Sequence, residues 1–156
     1  MTETMTEIPS RDAMVRELAI SRLREDIATL DKKRVIKRAR NTGMTQVEIA
    51  DALGKKQSSV SVIIKRAKDI AEPKQGFSGE TPYEICARYF IGDISKKRLI
   101  DELSRWEYAE LSKTDGYDGL LVDAPGTFRE VERAAKKGMI ELDVYETILN
   151  RLGRRD

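Results

Sequence analysis

The stretch Arg40–Lys68, RNTGMTQVEIADALGKKQSSVSVIIKRAK, decides the fold. Thr45 stands at a helix N-cap, and Glu48 three residues later completes a capping box. Val47, Ile49, Ala50 and Leu53 give the helix that follows an apolar side, and Ala50 is small enough for a second helix to approach closely. Gly54 supplies the positive φ by which a chain leaves a helix sharply. After a three-residue turn, a second helix begins at Gln57 or Ser58 and runs to about Ala67. Val60, Ile63 and Ile64 face inward, whereas Ser61, Val62, Lys65 and Arg66 lie on or beside the outer face. Two short helices across a tight glycine turn, the second rich in Ser and Lys, make a helix-turn-helix.

Upstream of this unit, Lys32–Asn41 reads as a helix with Val35, Ile36 and Ala39 inward. Either Asp31 caps it as a new helix, or it continues one capped by Ser10, with Asp12 in the first turn. Along that earlier stretch Ile20, Leu23, Ile27 and Leu30 form one stripe, which Ala13 extends. The stripe is either a core face against the next domain or a short coiled-coil seam between two chains. Residues 1–9 are polar and read as disordered.

Downstream, AEPKQGFSGETP (Ala71–Pro82) contains two prolines and two glycines and reads as a linker over 71–81. The fold expected is all-α: a helix-turn-helix domain over 10–70, the linker, and a second small domain of two helical hairpins over 82–156, serving oligomerisation or partner binding. In that half Thr81 caps a helix carrying Ile85, Cys86, Tyr89 and Phe90, and Gly92 ends it. Ser95 caps the next, with Leu99, Ile100, Leu103 and Trp106 buried. Ser112–Thr127 is turn-rich, with a short strand at Leu120–Val122. Thr127 then caps a helix to Lys137 that Gly138 closes, and a last helix runs to Leu152 with Val144, Tyr145, Ile148 and Leu149 inward. Gly92 and Gly138 are each followed by isoleucine two residues on, and Ile85 matches Val131, the pattern of a degenerate repeat.

Charge is unevenly placed. The chain of 156 residues carries a net charge of +2. Residues 32–68 alone hold eleven basic residues against Glu48 and Asp51, a surplus of nine, whereas residues 77–156 are net acidic. A dense positive stretch in a near-neutral chain is the footprint expected for phosphate backbones. Histidine is absent and Cys86 is the single cysteine, which removes histidine-based nucleophile chemistry, disulfides within the chain and multi-cysteine metal sites. Asp115, Asp118 and Asp123 lack the spacing of a calcium loop. Asp101 and Glu102 lie beside Lys97 and Arg98 and read as surface pairs. No apolar run is long enough to span a membrane, and the N-terminus has no signal-peptide pattern, so a cytoplasmic, non-enzymatic protein without cofactor or metal is expected.

The segment TQVEIADALGKKQSSVSVII resembles the helix-turn-helix of bacterial and phage regulators of the Cro/repressor type, to which the motif of ParB-type partition proteins is related. Gln46, Ala50, Gly54, Val60 and Ile63 carry the resemblance, which spans about Lys32–Ala67. Lys55 departs from it: the residue after the turn glycine is usually apolar, and a lysine there either loosens the turn or swings toward phosphate. The resemblance implies a helix at about 57–67 lying in the major groove of double-stranded DNA. It implies base contacts from Lys56, Gln57, Ser58, Ser61 and Val62, and phosphate contacts from Arg40, Thr45, Gln46, Lys55, Lys65 and Arg66. The function expected is a sequence-specific transcriptional regulator, a repressor acting as a homodimer. Its dimer contact would be either the Ile20–Leu30 stripe or the acidic second half. The alternatives are an antitoxin whose C-terminal domain binds a protein partner, and an accessory factor for partition or recombination.

Overall fold

The computed structural model describes residues 7–110 and 126–153, so the expected strand at 120–122 and the aspartates of that loop lie outside the described residues. The described residues form seven helices and no strand, an all-α fold. They are α1 (Arg11–Asn41), α2 (Gln46–Leu53), α3 (Gln57–Ala67), α4 (Pro82–Phe90), α5 (Lys96–Arg105), α6 (Arg129–Lys136) and α7 (Leu142–Arg151).

The first helix continues straight through Asp31 for 31 residues, capped by the Ser10 hydroxyl, which accepts from the Ala13 N–H. Its two halves serve two cores. Ile36 is buried with Ile49, Ala50, Val60 and Ala67 of α2 and α3. Ile27 is buried instead with Ile85, Leu99, Leu103, Val131, Val144 and Ile148 of α4–α7, with Ile20 and Leu23 packed beside it. Nine residues separate Ile27 from Ile36, about two and a half turns, so the two cores sit on opposite faces of one rod. The Ile20–Ile27 stripe is thus a core face within the chain. Val35 is 55% exposed, not inward as expected, because Arg34 and Ile36 on either side of it take the two buried faces.

The second half is built of two helical hairpins, α4–α5 and α6–α7, with α4 packed on α6 and α5 on α7. Gly92 and Gly138 both take positive φ at the turns, 46 residues apart. Moving α5 forward by 46 residues lands on α7. The two copies differ at their entries. Thr81 caps α4 through the Glu84 N–H, whereas α6 is entered through Phe128, and the buried Thr127 hydroxyl makes no hydrogen bond, so the expected Thr127 cap is not formed. Glu102 is also not the surface residue expected: it is buried on α5, where the matching position of α7 holds buried Ile148.

The two halves are joined by an ion-pair network whose centre is out of water. Arg34, 2% exposed, donates to both Glu84 carboxylate oxygens at 2.9 and 2.7 Å. Arg88 donates to Glu84 at 3.0 Å and to Asp31 at 2.6 Å, and reaches Asp93 at 3.3 Å. Arg34 also donates to the Ala71 carbonyl and Lys37 to the Ile70 carbonyl, which fastens the start of the expected linker to α1. Farther along it, Phe77 packs edge-on against Trp106 and Arg105 donates to the Gly76 carbonyl.

Burial pushes the Glu84 carboxyl up, but hydrogen bonds from Arg34, the Glu80 N–H and Arg88 outweigh it and hold the group below its ordinary 4.5. A carboxyl depressed in the folded state contributes stability that is fully present above the unfolded value and lost as pH falls through the folded one. Glu84→Gln strands Arg34 and is expected to cost about 3 kcal/mol at neutral pH. Urea unfolding should show that gap narrowing as pH drops below 4.5, and a gap constant with pH would contradict this role.

Candidate nucleic-acid interface

The helix-turn-helix forms as its local chemistry dictates. The Thr45 hydroxyl accepts from the Glu48 N–H at 3.2 Å and the Glu48 carboxylate accepts back from the Thr45 N–H, closing the capping box. Gly54 ends α2 at φ 64°. Ile49 and Ala50 of α2 and Val60 of α3 are buried between the helices, with Leu53, Ile63 and Ile64 packed around them. Val47, expected on the apolar side, is half exposed: it lies in the first turn of α2, pointing away from the approach of α1 and α3.

This packing sets the outer surface of α3. Gln57, Ser58, Val62, Lys65 and Arg66 are exposed and Ser61 is partly so. Ser58, Ser61, Val62 and Lys65 are spaced three and four apart and share one stripe. Lys55 and Lys56 are exposed in the turn ahead of it. No side chain caps the N-terminus of α3. The Gln46 amide donates to the Gln57 carbonyl at 3.5 Å and bridges the starts of α2 and α3. The base-contacting candidates are thus brought together at one helix end. Of the phosphate candidates, Thr45 and Gln46 flank that end, Lys65 and Arg66 lie along α3, and Arg40 lies on α1 beside the far end of α3, donating to the Met44 carbonyl at 3.0 Å.

Not every cation counted in the sequence is available. Arg34 is consumed by Glu84, and Arg38 pairs with Glu72 at 3.4 Å. Other lysines enter the site that the motif did not identify. Lys32 is held below the ordinary lysine range by the closeness of the Lys55 ammonium and by that residue's charge. Two ammonium groups so close define a spot where an anion is favoured. A groove between the ends of α1 and α3 is lined by Lys37, Arg40, Lys65 and Lys68 above Ile36 and Ile64. Lys32 and Lys37 are placed by packing of α1 against residues 23 and 33 positions away, which no local spacing announces.

Residues 29–69 match the sequence family described as Sigma-70, region 4. No curated protein and no solved structure matches the chain. The matched span covers the end of α1 with α2 and α3 and stops where the segment leading to α4 begins. The chain carries a DNA-binding helix-turn-helix. The helix-turn-helix is what this match and the Cro/repressor-type resemblance share.

Gly54→Ala meets no atom within 4 Å of the added Cβ, so its cost lies in the backbone alone. About 1 kcal/mol is expected for an L residue at that φ, a melting temperature lower by about 2–4 °C. An unchanged melting temperature would show that the turn does not depend on this conformation.

Proposed function

We propose that this protein is a sequence-specific transcriptional regulator, a repressor, that reads the major groove of double-stranded DNA with α3. One observation carries the reading. The uncapped start of α3 presents Lys56, Gln57 and Ser58 together, with Ser61 and Val62 on the next turn, on the face turned away from the Ile49–Val60 core. A helix entering a major groove reads bases with that end. The match of residues 29–69 to a helix-turn-helix family supports the same conclusion.

In this reading the division of labour follows side-chain chemistry. Gln57 pairs in bidentate fashion with adenine, Ser58 and Ser61 donate or accept, and Val62 meets a thymine methyl. Lys56 reaches guanine or the backbone. Lys55, Lys65, Arg66 and Arg40 neutralise phosphates, while Thr45 and Gln46 bring the N-terminus of α2 to the backbone. Repression follows from occupancy of the site.

Selection of bound duplexes from a random pool, followed by titration of two variants, tests this. Gln57→Ala should lose about 1–3 kcal/mol on the selected site and little on random DNA. Lys65→Ala should weaken both alike and make the slope of log affinity against log salt shallower by about 0.9. Equal losses from both variants on both duplexes would refute the assignment, and failure to enrich any sequence would refute base reading by α3.

A further inference from the structure

The first turns of α1 take part in neither core, apart from Arg16, whose guanidinium lies 4.7 Å over the Phe90 ring. Every residue from Arg11 to Leu18 is exposed, including Met14, Val15 at 64% and Leu18 at 67%. A helical extension with so little packing is marginal in water, and an apolar stripe on it calls for a cover. At 3.6 residues per turn Met14, Val15 and Leu18 share a face with Arg11, Arg22 and Glu25. That face is opposite to Ile27, which is nine residues beyond Leu18, and on the same side as Ile36, eighteen residues or about five turns beyond. The helix-turn-helix therefore stands on the same side of α1 as the stripe. It leaves a ledge from Arg11 to about Thr29, open at the N-terminal end.

We propose that a second copy of this chain occupies this ledge, its α1 lying antiparallel to the first about a two-fold axis at Leu18. A segment the length of Arg11–Glu25 is about 22 Å long and fits the ledge. In this register Leu18 meets the partner's Leu18. Arg11 lies opposite the partner's Glu25, and Met14 opposite the aliphatic stem of the partner's Arg22. Val15 lies opposite the partner's Ser21. Symmetry makes each pair occur twice. Arg11, Arg22 and Glu25 form no ion pair among the described residues, so they are free to pair across the axis. A parallel arrangement would set Arg11 against the partner's Arg11 and Glu25 against the partner's Glu25, so charge selects the antiparallel one. Six apolar side chains make a small contact, and the dimer is accordingly a weak one. The contact differs from both seams the sequence offered, because Ile20, Leu23 and Ile27 are already used within the chain.

This inference extends the regulator reading by bringing two α3 helices into one particle, yet it is tested without DNA, so the two can fail separately. Sedimentation equilibrium of the full chain should show a reversible dimer. Leu18→Glu should weaken it at least about tenfold while leaving the melting temperature of the monomer unchanged, since Leu18 is 67% exposed and belongs to neither core of the described residues. Arg11→Glu and Glu25→Arg should each weaken association, and the double variant should restore it. A monomer up to about 1 mM, a dimer indifferent to Leu18→Glu, or tighter association from either single charge reversal would overturn the proposal. A monomer that instead captures another polypeptide through Leu18 would overturn it equally.

Discussion

Arg34 and Glu84 determine how the rest of the molecule is arranged. A guanidinium at 2% exposure is unaffordable without a partner, and Glu84 fills both of its forward donors at 2.9 and 2.7 Å. Because Arg34 lies on α1 and Glu84 on α4, the pair fixes one half of the chain against the other. Arg88 extends it to Asp31 and Asp93, so three carboxylates answer two guanidiniums. Arg34 Nε is turned to the Ala71 carbonyl, which ties the exit from the helix-turn-helix to the same point. Apolar packing could hold the halves together in several rotations. A bidentate pair with further donors on both sides admits one.

That constraint gives meaning to the length of α1. A rod with Ile27 on one face and Ile36 on the other would be a hinge if its middle were free. Here the middle is the ion-pair network, with Asp31 and Arg34 both in it. The helix-turn-helix is therefore mounted on the second half through a continuous helix and a buried clamp, rather than carried on a loose tether. The net-acidic second half is thereby held at a fixed separation from the exposed cations of α3.

Much of this was legible in the sequence because it is local. The capping box at Thr45 and Glu48, the left-handed Gly54 and the inward Val60 are settled within a few residues of themselves. So are the glycine turns at Gly92 and Gly138. What was not legible depends on which side a distant element approaches. Val35 and Val47 look like core residues from their neighbours and are half exposed because no helix covers them. Glu102 and Arg34 look like surface residues and are buried because one does. The charge count of 32–68 was misleading for the same reason: composition registers Arg34 as a contact for phosphate, whereas the fold spends it on Glu84.

The two helices of the motif differ in how their N-termini are closed. The N-terminus of α2 carries a capping box closed by Thr45 and Glu48, and the helix is turned at its far end by Gly54. That of α3 has a lysine at the cap position and no side-chain acceptor for its first N–H groups. An uncapped end costs a free helix about 1 kcal/mol, and a positive residue beside the helix dipole adds to the cost. Both penalties turn to advantage when an anion or a base acceptor arrives. The unfilled N–H groups, the dipole and Lys55 with Lys56 then act on the same atoms, while Lys32 raises the local potential from behind. In the proposed reading, the end of α3 left open in the free protein is the one that the duplex completes.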